Sequence, residues 1–347
     1  MFKKFSLILA ALVALTLTAQ ARIVLDTEGN KIEIPDEITY AMPNASPMLQ
    51  IAVMLGNEDK VIYGGTRLDP LMKKIFPKVR TSGNKSGMLG DSVETIISLK
   101  PQVVFGPTNY LLREEGVRQV RAAGIPVVNT VKFLSIESVE GIKQSVTLIG
   151  AIFGGESARK AREFNEYLDG NIAFVQARTN KLAKNERKRV LDLGFRSGNF
   201  SANSPASMSA AYIESSGAIN VTSEAGRDFK VSGYINEEQV IIFDPDIIIT
   251  GSREGYNKIL SNPAFKSLKA IKNKQVFVIP SGLHIWSARS AETALCPLWL
   301  AKVVYPELFA DLDLEQKTRE FYKRFYNYDL NDKELDDILN PKEKGRW

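Results

Sequence analysis

Residues 94–106 read ETIISLKPQVVFG, and residues 238–251 read EQVIIFDPDIIITG. Placing Glu94 on Glu238 also places Pro101 on Pro245, a shared offset of 144 positions. Each segment is an amphipathic stretch, a proline, and then a continuous apolar run. That order predicts a helix feeding a strand covered on both faces, the environment of a parallel sheet. One such unit in each half predicts two similar α/β lobes, and two lobes leave a cleft suited to a ligand.

The rest of the chain fits this plan. Lys3 and Lys4 precede an apolar stretch at 6–18, and Ala19-Gln20-Ala21 gives a small-residue cleavage site, so residues 1–21 read as a signal peptide. The apolar stretch is short for a membrane span. The mature protein is then expected to start at Arg22, soluble in a periplasm, with no cysteine near the site to take a lipid. Without the leader, 326 of the 347 residues remain (347 minus 21), still more than the roughly 250–300 at which single cores stop growing. Cys296 is the only cysteine, which excludes an intramolecular disulfide, and it reads as a small core residue. The formal charge of +5 falls by two with the leader, and the basic residues are spread out, so there is no nucleic-acid footprint.

Residues 22–35 alternate around a Glu-Gly-Asn turn and predict a hairpin. Strands at 38–43, 60–63, 102–106 and 125–129 alternate with helices after Ser46 and at 92–99 and 113–123. A helix at 136–153 precedes a proline-free stretch with apolar residues at helical spacing, predicted as one helix of roughly 45 Å. The plan then repeats, with strands at 190–193, 247–250 and 275–279 and helices at 208–216, 238–243 and 264–270. Closing helices follow at 290–304, 315–326 and 333–339. The expected organisation is an N-terminal lobe at 22–154, a connecting helix at 155–188, a C-terminal lobe at 189–340 and a loose tail at 341–347. One long helix, with no second crossing visible, predicts small movement between the lobes.

Open α/β sheets bind ligands at the carboxyl ends of their strands. The loops expected there carry Asn44, Arg67 and Tyr110 in the first lobe and Arg196, Arg253, His284, Trp286 and Arg289 in the second. Arginine offers a planar fork to an oxyanion, carboxylate or phosphate. Tyrosine and tryptophan offer rigid apolar area with a polar tip, and Trp286 is expected to form an aromatic wall. The mixture suits an anionic, partly apolar ligand. His284 is the only histidine, which excludes a multi-histidine metal site and leaves it as a single ligand or hydrogen-bond donor to a chelate. No hydrolase elbow, P-loop or dinucleotide fingerprint is present, and no cofactor is expected.

The hairpin DTEGNKIEIPDEI, ETIISLKPQVVFG, AAGIPVV, the long helix, EEQVIIFDPDIIITG, NKQVFVIPSG and ALCPLWLAKVVYPELF occur in that order. Together they resemble the periplasmic solute-binding proteins of the iron-siderophore, haem and cobalamin class of ABC importers, over nearly all of 22–326. The resemblance implies two Rossmann-like lobes with parallel-rich sheets, no enzymatic activity, and a monomer that delivers its ligand to an inner-membrane permease dimer. It also implies that an acidic residue on each lobe docks on the permease, and Glu94 and Glu238 hold matching positions. The first ligand reading is a ferric-siderophore-type chelate. WLAKVVYPELFADLD followed by EFYKRFYNYDL also resembles members that bind molybdate or tungstate, the second reading. A metal chelatase or reductase module on the same fold is the alternative from a different class.

Overall fold

The computed structural model describes residues 21–64, 68–82, 92–132, 138–224 and 233–341. The signal-peptide reading and the tail from 342 onward lie outside them.

An antiparallel hairpin of β1 (Ala21–Leu25) and β2 (Lys31–Pro35) comes first. The first lobe then runs β3 (Ala41–Pro43), α1 (Ser46–Met54), β4 (Ile62–Tyr63), α2 (Pro70–Ile75), β5 (Arg80–Thr81), α3 (Val93–Leu99), β6 (Val103–Gly106), α4 (Thr108–Leu111), α5 (Arg113–Ala122), β7 (Val127–Asn129) and α6 (Val139–Phe153). Helix α7 (Gly155–Thr179) leads to the second lobe. There follow β8 (Arg189–Arg196), β9 (Asn199–Ala202), α8 (Met208–Ser215), β10 (Ile219–Asn220), α9 (Val221–Glu224), β11 (Gly233–Tyr234), α10 (Glu237–Phe243), β12 (Ile247–Thr250), α11 (Arg253–Ser261), α12 (Lys269–Lys272) and β13 (Val276–Val278). Helices α13 (Cys296–Val304), α14 (Leu314–Tyr326) and α15 (Asp332–Leu339) close the described chain.

The two sheets share one parallel plan. In the first, β6 lies between β3 and β7, and Val61 beside β4 bridges to Ala41 of β3. In the second, β12 lies between β8 and β13, and β10 lies on the far side of β8. Both orders are second, first, third, fourth, so each sheet has a switch point between its first and third strands. The repeat read from the sequence is therefore a repeat of structure. α3 and α10 each span seven residues, begin after a side-chain cap (Ser92 or Asn236), and end on a left-handed residue, Lys100 or Asp244. The central strands β6 and β12 follow, fully buried.

Alternate side chains of these strands enter different cores. Met42, Val104 and Val127 join Ile96, Val117 and Val120 in an outer core of the first lobe. Leu191, Ile248 and Val276 do the same in the second with Val240, Ile259 and Phe265. The opposite faces, including Val103, Phe105, Val128, Val190, Ile247 and Ile249, join one continuous cluster that runs through both halves. Phe164 and Leu168 of α7 belong to it, fully buried.

Three features differ from the sequence reading. α7 has 25 residues, about 37 Å, rather than running to 188, because the chain turns after Thr179 and re-forms as a short 3-10 segment at Lys184–Glu186. The Gly/Ser/Asn-rich stretch after 193 is not a loop: β8 continues to Arg196, turns through Ser197 and Gly198 with positive φ, and returns as antiparallel β9. Finally, the chain crosses between the lobes a second time. Phe76, capping α2, meets Tyr326 of α14 edge-on with centroids 5.4 Å apart. Lys74 of α2 pairs with Glu334 of α15 at 2.5 Å. That crossing is invisible to periodicity because it is a contact between distant helices.

Candidate ligand site

The carboxyl end of the first sheet collects polar groups that no described residue satisfies. Pro43 ends β3, and the Asn44 N–H donates to the Phe105 carbonyl of β6 at 3.0 Å. This places the Asn44 side chain across the switch point. It is 3% exposed, and neither its oxygen nor its nitrogen has a partner among the described residues. Gly106 ends β6 at φ 139°, where a Cβ would collide with Asn44 Oδ1, so glycine is required here both for conformation and for space. Thr108, two residues on and 1% exposed, also has an unpartnered hydroxyl. Buried amides and hydroxyls of this kind are costly unless something hydrogen-bonds them.

The second sheet offers the matching edge. Thr250 ends β12 with its hydroxyl buried and unpartnered. Beyond β13 the chain forms a folded loop at 281–290, with a bridge between Ser281 and Ile285 and a bond from the Trp286 N–H to the Pro280 carbonyl, 3.0 Å. A Cβ on Gly251 would sit 3.0 Å from Ile285 Cδ1, so the loops after β12 and β13 abut. The loop also meets the first lobe, because Gln50 Nε2 of α1 donates to the Leu283 carbonyl at 2.8 Å. Ser290 and Trp286, both at 0% exposure, carry an unpartnered hydroxyl and indole N–H.

Two ionisable groups in this region are shifted by burial. Desolvation holds His284 down to about 4, against a smaller opposing bond to the Ile285 backbone, so the ring is neutral near pH 7. Burial pushes Glu292 up to about 7, although the Tyr322 hydroxyl and the His284 and Leu283 amides all donate to it. In β8, burial likewise raises Asp192, which accepts from Ser209 at 2.5 Å and Asn203 at 2.6 Å.

The sequence-predicted residues divide. Asn44 lies in the first-lobe cluster. His284 and Arg289 lie half-buried on the 281–290 loop. Trp286 does not form an open wall, because the loop folds back and packs its ring in the core. Arg196 is exposed at the β8–β9 turn, a consequence of the strand continuing where a loop was expected. Arg253 opens α11, donates to the Pro341 carbonyl at 3.2 Å, and stacks over Tyr256, so it is engaged by its own surroundings. Tyr110 lies in α4, and Arg67 lies outside the described residues. Glu94 and Glu238 are both exposed second residues of their helices. Its own backbone N–H, and then the Ser92 hydroxyl, hold the Glu94 carboxyl below the usual carboxylate range. Sequence reasoning missed Thr250, Ser290, Gln50 and Glu292. Position at a strand end could have marked Thr250, but Glu292 sits in an apolar run with nothing local to mark it.

Among the described residues, no group of three or more His, Cys, Asp or Glu side chains could hold a metal ion, and no helix is long and apolar enough to cross a membrane. The site is made of neutral hydrogen-bonding groups, with Arg289 on the adjoining loop.

Comparison with known proteins agrees with the fold. A molybdate-binding protein, MolA of Haemophilus influenzae, is 28% identical over 355 aligned residues, covering 92% of this chain and 96% of that protein. Its molybdate-bound crystal structure superposes with a TM-score of 0.74 at 25% identity, covering 89% of this chain and 99% of that one. A periplasmic solute-binding protein from Veillonella parvula gives a TM-score of 0.74 at 24% identity, covering 92% and 97%. Helicobacter pylori CeuE with a nickel–histidine complex gives 0.71 at 19% identity, covering 92% and 99%. Residues 47–283 match the family described as periplasmic binding protein, and with a match of that extent the chain belongs to that family.

Proposed function

We propose that this protein captures a small tetrahedral oxyanion, molybdate or tungstate, between its lobes and delivers it to the permease of an ABC importer. The observation that carries the ligand reading is the set of buried donors, unpartnered among the described residues, at the two carboxyl edges: the Asn44 amide and the Thr108, Thr250 and Ser290 hydroxyls. Neutral donors suit a compact anion, because they can surround its oxygens without the open aromatic wall that a ferric-siderophore-type chelate would require. Trp286, the residue expected to form that wall, is inside the core. The 28% identity to a molybdate-binding protein over 92% of the chain favours the same reading over the iron chelate. The matched relatives are substrate-binding proteins, which speaks against a chelatase.

Delivery rests on Glu94 and Glu238, exposed at equivalent places on the two lobes, which would meet a two-fold permease as a pair. Residues 1–21 would export the chain to the periplasm.

Calorimetric titration with molybdate, tungstate, sulfate, phosphate, haem and a ferric catecholate tests the ligand. Saturable binding of molybdate or tungstate is expected, with weaker or absent binding of the others. Preference for haem or the ferric chelate would restore the first reading. A hydrogen bond to a charged ligand contributes about 1.5–3 kcal/mol, so Asn44→Ala and Thr108→Ala should each weaken oxyanion binding about ten- to a hundredfold.

A further inference from the structure

Glu292 is fully buried, and its bonds point to one place. Its two oxygens accept the N–H groups of consecutive loop residues, Leu283 and His284, each at 3.0 Å. The Tyr322 hydroxyl of α14 donates to the Leu283-bound oxygen. Between these groups Gly282 passes so closely that a Cβ would strike both the Glu292 carboxylate and the Tyr322 hydroxyl. The Leu283 carbonyl is taken in turn by Gln50 of α1, in the first lobe. The loop is thus clamped at adjacent backbone groups from two sides. A carboxylate inside a protein core is expensive, and an apolar residue would fill the space at lower cost. Its bonds are spent on the shape of the segment that carries His284, Arg289 and Ser290.

We propose that Glu292 is a positioning residue that holds the 281–290 loop in its binding shape, and that Gln50 extends the clamp to the first lobe. The proposal rests on the reading that this loop faces the bound anion. Neither residue touches the ligand. Both act on the backbone of the loop, so their effects should pass through a shared element and fail to add.

The test uses the full-length mature protein, with molybdate as the probe, in the wild type, Arg289→Ala, Glu292→Gln, Gln50→Ala and the Glu292→Gln/Gln50→Ala double variant. Glutamine keeps the shape of glutamate but turns one acceptor into a donor facing an amide, so one loop bond is lost. Affinity should fall about tenfold in each clamp variant. The double variant should be no weaker than the product of the two losses would require, and close to the weaker single variant. Without ligand, hydrogen exchange of the 281–290 segment should quicken in both variants while α13 stays protected. Unchanged affinity and exchange in Glu292→Gln, with Arg289→Ala weakened, would overturn the clamp and leave the site reading standing. Faster loop exchange with no change of affinity in any variant, Arg289→Ala included, would show that the loop is clamped but lies away from the ligand. Strictly multiplicative losses would overturn the shared path. If Glu292→Gln does not fold, Gln50→Ala alone decides the affinity and exchange outcomes, because Gln50 carries no buried charge.

Discussion

The backbone N–H of His284 donates to the Glu292 carboxyl, and burial moves the titrations of both side chains, in opposite directions. Glu292 keeps its proton up to about pH 7 in the folded protein, whereas the unfolded chain releases it near 4.5. Its contribution to stability therefore falls as pH rises from about 4.5 to 7. His284 stays neutral down to about pH 4 when folded, but the unfolded chain takes up a proton below about 6.5. Its contribution falls as pH drops from 6.5 to 4. Each effect is about 3 kcal/mol at most, and over the shared window the slopes cancel. Chemical denaturation between pH 4.5 and 7 should therefore show that Glu292→Gln gains a stability that rises with pH, relative to the wild type. His284→Asn should show the reverse. Parallel pH profiles for both variants and the wild type would mean that neither group is desolvated as described. At this scale the sequence spoke unevenly. Asn44 was legible because it follows a strand and precedes a helix cap, a position where α/β sheets place ligands. Glu292 was not, because a carboxylate among Ala, Thr, Leu and Cys acquires its meaning from Gly282 and Tyr322, which approach only in the folded chain.

The helix-strand unit was legible because it occurs twice, and each copy is built by the same local means. A polar cap, seven helical residues, a left-handed stop and a proline lead into a strand hidden on both sides. The β8–β9 turn was not legible. Its glycine, serines and asparagines read as a loop, and only the positive φ of Ser197 and Gly198 makes them a hairpin turn. Because α3 and α10 are equivalent, their exposed Glu94 and Glu238 can be removed together without touching either core. The Glu94→Ala/Glu238→Ala variant should keep its melting temperature within a few degrees and bind oxyanion as the wild type does. In reconstituted vesicles, transport and the stimulation of permease ATPase should fall sharply. Normal uptake would take the docking role away from this pair.

For the whole molecule, small relative movement of the lobes was expected from a single stiff helix. The structure gives the expectation a different ground. Inner faces of both sheets share one apolar cluster, and the polypeptide passes between the halves twice, in α7 and again on the way to α14. Opening such a molecule widely would expose side chains that are now buried, at about 25 cal/mol for each Å² of apolar area. Solution scattering with and without oxyanion should show nearly the same radius of gyration. A fall of several per cent on binding would mean that the shared cluster divides more easily than its burial implies.

The contact of Phe76 with Tyr326 and of Lys74 with Glu334 also has a meaning in time. Synthesis makes the first lobe early, yet the helices that meet α2 emerge some 250 residues after it. Until they arrive, the lobe is an unfinished surface, with the Phe76 ring lacking its Tyr326 partner on a chain that can stick to its neighbours. Native pairing across some 250 residues is also intrinsically slow, since a long loop must close before the contact repays it. Refolding monitored by fluorescence should be limited by a step that requires α14 and α15. A chain ending at Leu312 should fail to give a cooperative melt anywhere, in the first lobe as much as in the second. A sharp transition from such a truncated chain would show that the first lobe matures by itself.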